Sequence, residues 1–171
     1  MAGLELHGIH VPETFNSDRL QIEKLSMNDA EFMFELLNSN GWKSFIGDSK
    51  INTIDDARSY IGRVSELKNI IYWTVKNKVG NEKLGVLTFI KRKELDLPDL
   101  GFAFLAQFQG KGFAYESANK LIDILKKQGQ IKKIQSITME SNHSSIKLIR
   151  NLGFKQIKNQ GKEDLVFELE L

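Results

Sequence analysis

The chain has 171 residues, a formal net charge of +2 at pH 7 and no cysteine. That length suits one domain with its own core, and the near-neutral charge argues against binding to nucleic acid or to a membrane surface. The lack of cysteine excludes disulfides, thiolate metal sites and a covalent cysteine intermediate. We find no signal-peptide pattern and no apolar run of about 18 residues, so a cytoplasmic protein without a membrane span is expected.

In chain order, the first half of the sequence predicts a lead-in, a strand, two helices and a loop between them. Residues 1–18 show little periodicity and are predicted to be a poorly ordered lead-in, followed by a single domain over residues 19–171. Ser26 and Thr53 each precede an aspartate by three residues, as in the N-terminal caps of helices. The strand, the first helix, the loop and the second helix are expected over residues 19–25, 26–38, 40–47 and 53–67.

The second half of the sequence predicts a run of antiparallel strands and then alternating helices and strands. The antiparallel strands are expected over residues 70–76, 84–92 and 100–106. The elements that follow are a helix, a strand, a helix and two closing strands, over residues 112–128, 134–140, 142–152, 155–157 and 165–171. This order is typical of a mixed α+β protein.

A glycine turn joins the strand at residues 100–106 to the helix that follows it. Residues 107–117 read Gln-Phe-Gln-Gly-Lys-Gly-Phe-Ala-Tyr-Glu-Ser. The N–H groups at a helix N-terminus lack internal partners, and the helix dipole favours negative charge there. Because glycine has no Cβ, a phosphate can approach the main chain closely. The turn therefore predicts a site for a ligand that carries phosphate.

Two common phosphate-binding motifs do not match this turn. A P-loop needs a lysine directly after its last glycine and then a serine or threonine, whereas Lys111 lies between Gly110 and Gly112. A dinucleotide-binding fingerprint needs a third glycine where this chain has Tyr115, and it follows a βαβ unit rather than hairpins.

The pattern that does match is Gln-x-x-Gly-x-Gly, formed by Gln107, Gly110 and Gly112, with Asn-His-Ser-Ser and Leu-Gly-Phe further on within residues 142–154. Together with Phe-Ile-Gly-Asp at residues 45–48, these motifs resemble the GNAT N-acetyltransferase superfamily, and most closely its Rim-type branch of ribosomal-protein N-terminal acetyltransferases. The resemblance implies an α+β GNAT fold. In that fold, a twisted and mostly antiparallel sheet of about seven strands is flanked by about four helices, and its fourth and fifth strands splay apart.

The resemblance also implies that acetyl-CoA is the co-substrate and indicates where it would lie. Phe104 and Leu105 would pair with the pantetheine amides, and Asn142 and Ser145 would face the pantetheine and thioester. The pyrophosphate would lie on the main-chain N–H groups of Gln109, Gly110, Lys111, Gly112, Phe113 and Ala114. Structural alternatives stay open, because Asn142 also suits a plain helix cap, Ser145 a first-turn polar residue, and Lys111 and Glu116 a solvated helix start.

The implied reaction is direct attack of a primary amine on the acetyl thioester in a ternary complex. The acceptor would be a protein N-terminus or a small-molecule amine. Many family members carry a tyrosine as the acid for the leaving thiolate, but that position is Ile149 here. Ser145 is therefore the candidate proton donor, and Glu140 is the candidate base, unless it is a surface acid at a strand end. A main-chain N–H near Leu105 would polarise the thioester carbonyl.

Aromatic residues supply the candidates for the acceptor pocket: Trp42, Phe45 and Tyr72, with Trp73 as the alternative to Tyr72, although core packing also explains such residues. The three histidines share no metal-ligand spacing, so we expect no metal. The chain is expected to be a monomer or a homodimer. Two other functions stay open: a coenzyme A-binding module without turnover, and a nucleic-acid-binding domain, which the charge argues against.

Overall fold

The computed structural model describes residues 3–93, 95–157 and 164–171. The strands within these residues are β1 Gly3–Leu6, β2 Ile9–Pro12, β3 Thr14–Asn16, β4 Leu20–Lys24, β5 Ile70–Asn77, β6 Lys83–Ile90, β7 Asp99–Phe104, β8 Lys133–Met139, β9 Lys155–Gln156 and β10 Asp164–Glu170. The helices are α1 Ala30–Asn38, α2 Asn40–Phe45, α3 Ile54–Glu66, α4 Phe113–Gln128 and α5 His143–Asn151. Short 3₁₀ turns cover Met27–Asp29 and Ala106–Phe108. No helix in these described ranges is long and apolar enough to cross a membrane.

Eight strands form one sheet in the order β3-β4-β5-β6-β7-β8-β10-β9, and β1 and β2 form a separate hairpin. Every neighbouring pair in the sheet is antiparallel except β7 and β8, which run parallel. The predicted α+β fold with a mostly antiparallel sheet is therefore confirmed. Within the described ranges, the sheet has one strand more than predicted, β3, and there is one helix more than predicted, α2.

The poorly ordered lead-in predicted for residues 1–18 is wrong for the described residues, which form three strands. Leu6 pairs with Ile9 across a turn at His7 and Gly8, whose φ angles are +48° and +84°. Positive φ at both central residues is the geometry of a tight hairpin turn that matches the twist of the strands. The alternation of Leu4 and Leu6 with Ile9 and Val11 was the signal for this hairpin in the sequence.

The segment at residues 40–47, predicted as a loop, contains α2. The Ser39 hydroxyl oxygen accepts a hydrogen bond from the Trp42 N–H at 3.3 Å and so caps this short helix. Trp42 is only 5% exposed because it packs into the core on the α1 and α3 side of the sheet. The helix is stabilised by this burial, which no local pattern in the sequence shows.

The sheet lies between two apolar cores. On one face, α4 and α5 pack through residues such as Leu121 and Ile149. On the other face, α1 and α3 pack through Met33 and Ile61. The central strand β7 contributes Phe104 to the first core, whereas the chain directly after it contributes Leu105 to the second. The end of β7 therefore contributes to both cores, and β7 lies inside the sheet between β6 and β8.

Candidate active site

In the part of the chain that the structure describes, strands β7 and β8 pair only near their beginnings. Within the described residues, Asp99 and Gln135 are their single register pair. The Gln135 N–H donates to the Pro98 carbonyl at 2.8 Å, and the Ser136 hydroxyl donates to the Leu100 carbonyl at 2.9 Å. Beyond these contacts the strands part toward their carboxyl ends. The splay predicted between the fourth and fifth strands is thus present between β7 and β8.

One hydrogen bond shows which main-chain groups of β7 point into the gap between β7 and β8. The Leu105 N–H donates to the Leu84 carbonyl at 3.0 Å, as part of the ladder with β6. Since hydrogen bonds in an antiparallel pair involve alternate residues, Phe102 and Phe104 turn their main-chain groups toward the gap instead. Phe102 was missed by the sequence reading, because the ladder register is a tertiary feature that no local pattern encodes.

The predicted pairing of Leu105 with pantetheine is wrong. Its N–H is used by Leu84, and its carbonyl accepts the Phe108 N–H at 3.0 Å. The Phe104 carbonyl is also occupied, by the Gln109 side-chain Nε2 at 2.9 Å. Among the described residues, the Phe104 N–H and the main-chain groups of Phe102 have no protein partner, so they are available to a ligand at this edge.

The glycine turn presents a row of main-chain N–H groups. Gly110 and Gly112 have φ angles of +74° and +81°, which L side chains rarely adopt. Within the described part of the chain, the N–H groups from Gly110 to Tyr115 donate no hydrogen bond to the protein, and the first helical bond runs from the Glu116 N–H to the Gly112 carbonyl. These are the orphan donors of a helix N-terminus.

Two members of the predicted pyrophosphate set differ from the others. The Gln109 N–H is not available, because it donates to the Ala106 carbonyl at 3.2 Å. The Lys111 side chain is exposed, and its Nζ lies 5.7 Å from the centroid of the Phe108 ring. Gly110, Gly112, Phe113 and Ala114 line the cleft beside the turn.

The start of α5 forms another part of the wall of this cleft. The Asn142 Oδ1 accepts the Ser145 N–H at 3.1 Å, so Asn142 is the helix cap that the sequence left as an alternative. Asn142 and Ser145 are both half-buried and both line the cleft. Capping and contact with a ligand are therefore compatible for Asn142.

The structure does not bring Glu140 to this wall. Strand β8 ends at Met139, so Glu140 lies exposed in the turn that follows, and it is absent from the cleft lining although Met139 and Ser141 belong to it. Ile149, at the position of the family's tyrosine, is fully buried in the core. The role of base predicted for Glu140 has no geometric support.

The three aromatic candidates for the acceptor pocket all line the cleft: Trp42, Phe45 and Tyr72. Phe45 is 39% exposed, so its ring is not explained by core packing alone. Trp73, the alternative to Tyr72, is fully buried on the other face of the sheet, where its Nε1 donates to the Pro12 carbonyl at 3.0 Å. Trp73 is therefore excluded as a pocket residue.

Polar groups also line this cleft. The sequence predicted Tyr72 among them but did not predict Asp99 or Arg92. The hydroxyls of Tyr72 and Tyr60 lie 2.9 Å apart, and burial raises the pKa of Tyr72 above its ordinary value. Asp99, 3% exposed, accepts a hydrogen bond from the Arg92 Nε at 2.8 Å. Burial raises the pKa of Asp99, although the Arg92 guanidinium and the Ile137 N–H act in the opposite direction. The only signal for Asp99 in the sequence is its place as a carboxylate at the start of an apolar strand.

Tyr72, Asp99 and Arg92 line one continuous cleft of about 1470 Å³ together with the glycine turn and the start of α5. The orphan N–H groups of the glycine turn lie at one part of it, the open edge of β7 runs through it, and the aromatic pocket with Asp99 and Arg92 completes it. The shape suits a long ligand with an anionic end, placed against a second, smaller molecule.

Comparison with known proteins agrees with this geometry. The sequence model of the family described as Acetyltransferase (GNAT) domain matches residues 19–155. The chain is 24% identical over 148 residues to the uncharacterized N-acetyltransferase p20 of Bacillus licheniformis, an alignment that covers 84% of this chain and 83% of that protein.

Two solved structures show a similar fold. One is RimL, the ribosomal L7/L12 alpha-N-protein acetyltransferase in complex with coenzyme A, with a TM-score of 0.80, 16% identity and coverage of 93% of this chain and 98% of that one. The other is the microcin C7 self-immunity acetyltransferase MccE in complex with acetyl-CoA and AMP, with a TM-score of 0.79, 20% identity and coverage of 94% and 98%. On the match of the family model, which covers most of its length, the chain belongs to the GNAT acetyltransferase family.

Proposed function

We propose that this chain transfers the acetyl group of acetyl-CoA to a primary amine, by direct attack within a ternary complex. The observation that carries this proposal is the continuity of the cleft, which joins a row of orphan N–H groups to an aromatic pocket along an open strand edge. The similar structures of RimL and MccE hold coenzyme A and acetyl-CoA, which supports this choice of donor.

The donor is expected to bind through main-chain groups. Its pyrophosphate would accept hydrogen bonds from the N–H groups of Gly110 to Ala114, where the α4 dipole adds a favourable field. Its pantetheine amides would pair with Phe102 and the Phe104 N–H, in the manner of an added strand. Asn142 and Ser145 would contact the pantetheine near the thioester.

The reaction would begin when the neutral amine attacks the thioester carbon. A C–N bond forms, the carbonyl oxygen becomes an oxyanion, and the C–S bond then breaks to release the thiolate of coenzyme A. In this proposal, the Ser145 hydroxyl donates a proton to the thiolate and regains one through water from the attacking amine. No base of high pKa is required if the acceptor is a protein N-terminus, whose ordinary pKa of about 7.7–8.0 leaves a useful neutral fraction at pH 7.

The acceptor would lie against Trp42, Phe45 and Tyr72, which line the same cleft. An amine borne on a peptide or on a compact organic molecule suits a pocket with aromatic walls and a few polar groups. The resemblance to RimL, an alpha-N-protein acetyltransferase, supports a protein N-terminus as one acceptor class, and a small-molecule amine is the other.

Thiol release tests the proposal directly. Because the chain has no cysteine, a thiol reagent detects only the coenzyme A that is released. We would combine acetyl-CoA with a peptide that has a free N-terminus, its N-acetylated form, an amino acid and a polyamine, and measure acetyl-CoA affinity by calorimetry in parallel. Turnover with any free amine supports the proposal. Binding without turnover would instead support the coenzyme A-binding module, and an absence of binding would overturn both.

A further inference from the structure

Arg19, the residue before β4, reaches across the chain to the glycine turn. Its Nη1 donates to the Lys111 carbonyl at 3.2 Å, and its Nε donates to Glu116 Oε2 at 2.6 Å, 97 residues away in the sequence. Its guanidinium carbon also lies 4.6 Å from the centroid of the Phe113 ring. One side chain therefore contacts the turn, the first residue of α4 and the first turn of that helix.

Glu116 is held by a second set of contacts. Its Oε1 accepts the Arg19 main-chain N–H at 2.8 Å and the Ser17 hydroxyl at 2.6 Å. The carboxylate is 19% exposed. Burial alone would raise the pKa of Glu116, but these hydrogen bonds and the Arg19 charge outweigh it and lower that pKa below its usual value. Glu116 is thus a carboxylate with satisfied partners, and not the solvated helix-start residue left open from the sequence.

The turn itself has few other attachments. In the described part of the chain, the contact from Arg19 to the Lys111 carbonyl is the hydrogen bond that joins residues 110–111 to the rest of the protein. Gly110 and Gly112 are freer in their backbone dihedral angles than other residues, so the turn would sample many shapes if it were released. A site built from main-chain N–H groups depends on their relative placement, because those groups cannot adjust independently.

We propose that Arg19 and Glu116 are positioning residues for the donor, which fix the main-chain N–H groups of the glycine turn in the arrangement that binds pyrophosphate. The pair acts through the Lys111 carbonyl and the start of α4, and it needs no contact with the ligand. The opposite charges of Arg19 and Glu116 balance each other, so the pair adds no net charge beside the ligand. It acts by holding the glycine turn in its binding conformation. This inference rests on the proposed function, since it assumes that the turn binds the pyrophosphate of acetyl-CoA.

The experiment compares two donors in several variants. Acetyl-CoA has the pyrophosphate, whereas S-acetylpantetheine lacks it and retains the thioester arm. In Arg19→Gln we expect the acetyl-CoA Kd to rise about tenfold, because a charge-assisted contact to the turn is lost. The S-acetylpantetheine Kd should stay unchanged. Arg58→Gln is the matched control, since Arg58 forms an ion pair of the same 2.6 Å length with Asp55 on the exposed face of α3, and it should alter neither value.

A double variant separates an effect on the conformation of the glycine turn from an effect of the Glu116 charge. A pure charge effect is the alternative cause of weaker binding in Arg19→Gln, because the Glu116 carboxylate near the bound pyrophosphate is then no longer balanced. Arg19→Gln combined with Glu116→Gln removes that charge but does not restore the contact to Lys111. We therefore expect the double variant to bind acetyl-CoA as weakly as the single variant does. Arg19→Lys, which keeps the charge but cannot span both partners with a planar fork, should also bind more weakly.

Several measured outcomes would overturn the positioning role of Arg19 and Glu116. An unchanged acetyl-CoA Kd in folded Arg19→Gln or Arg19→Lys would overturn the proposal. Equal losses for both donors would show general damage to the fold, and recovery in the double variant would show a pure charge effect; both results also overturn it. If the wild-type chain binds no acetyl-CoA, the proposed function fails first, and that outcome is distinct from a wild type that binds and a variant that binds equally well.

Discussion

The Leu105 N–H donates to the Leu84 carbonyl at 3.0 Å, and this bond turns the main-chain groups of Phe102 and Phe104 toward the gap between β7 and β8. We expect the amides of Phe102 and Phe104, and those of the glycine turn, to exchange hydrogen more slowly once acetyl-CoA is bound. The Leu105 amide should not change, because its partner is already in place. Hydrogen exchange followed by NMR measures this, and protection at Leu105 without protection at Phe104 would contradict the assignment.

Substituting valine at Gly110 or Gly112 should abolish acetyl-CoA binding and leave a folded protein. Both glycines have positive φ angles, where a side chain costs about 1–2 kcal/mol of strain, so the turn would change shape. Gly129 offers a matched control because its φ angle is +63°, it lies at the far end of α4, and a Cβ there would meet no atom within 4 Å. Gly129→Val should lower the melting temperature comparably and keep the calorimetric Kd. Retained affinity in both turn variants would argue against the pyrophosphate site.

Variants of Asn142 separate its capping role from its ligand role. Asn142→Ala removes the acceptor of the Ser145 N–H and should lower the free energy of unfolding by about 1 kcal/mol. Asn142→Ser keeps a capping oxygen and should restore that stability. If the Asn142 amide also contacts pantetheine, the serine variant will still bind acetyl-CoA more weakly than wild type. Urea unfolding and calorimetry on the same samples decide this, and full affinity in the serine variant would leave Asn142 as a cap alone.

Ser145→Ala should lower kcat much more than it changes the acetyl-CoA Kd. The cap at Asn142 uses the main-chain N–H of Ser145, so removal of the hydroxyl leaves the helix start intact. Loss of a proton donor typically costs about 10²–10⁴-fold in rate. Ser59→Ala, at an exposed position on α3, is the control and should have the wild-type rate. Steady-state thiol release measures both variants, and a wild-type kcat in Ser145→Ala would remove Ser145 from the proton-donor role.

Asp99→Asn should change how stability depends on pH. Burial raises the folded pKa of Asp99 above its ordinary value of 3.8, so the folded state binds this proton more tightly than the unfolded state does. The stabilisation is complete below pH 3.8 and is lost as pH rises through the folded pKa. Asparagine does not titrate, so the stability of the variant relative to wild type should rise over that window. Urea unfolding at a series of pH values tests this, and a difference that stays constant or falls would contradict it.

The glycine turn and the start of α5 were predictable because their signals are local. A strand, two glycines and a helix occupy consecutive residues, and the cap at Asn142 acts on a residue only three positions away. The same holds for the capping box of Thr53 and Asp56 at the start of α3. In these cases the interactions that form the structure lie within the pattern that predicts it.

The parts that could not be predicted depend on contacts between distant residues. The link from Arg19 to Glu116 spans 97 positions, and the free edge of β7 depends on its register with β6. Glu140 was assigned to the end of a strand, but the strand stops one residue earlier and Glu140 lies exposed in the turn that follows. Strand ends and registers follow from tertiary packing, so sequence patterns locate them poorly.

The first three strands have a practical consequence for anyone who shortens this protein. Similarity to the family begins at residue 19, yet Pro12 supplies the carbonyl that accepts the Trp73 indole N–H, and the Phe15 ring lies 5.9 Å from that indole. Expression from Arg19 onward would leave a buried donor orphaned and would uncover apolar surface at the back of the sheet. Such a fragment should aggregate and would be unsuitable for activity measurements. The limits of the family match are therefore a poor guide to where this protein can be truncated.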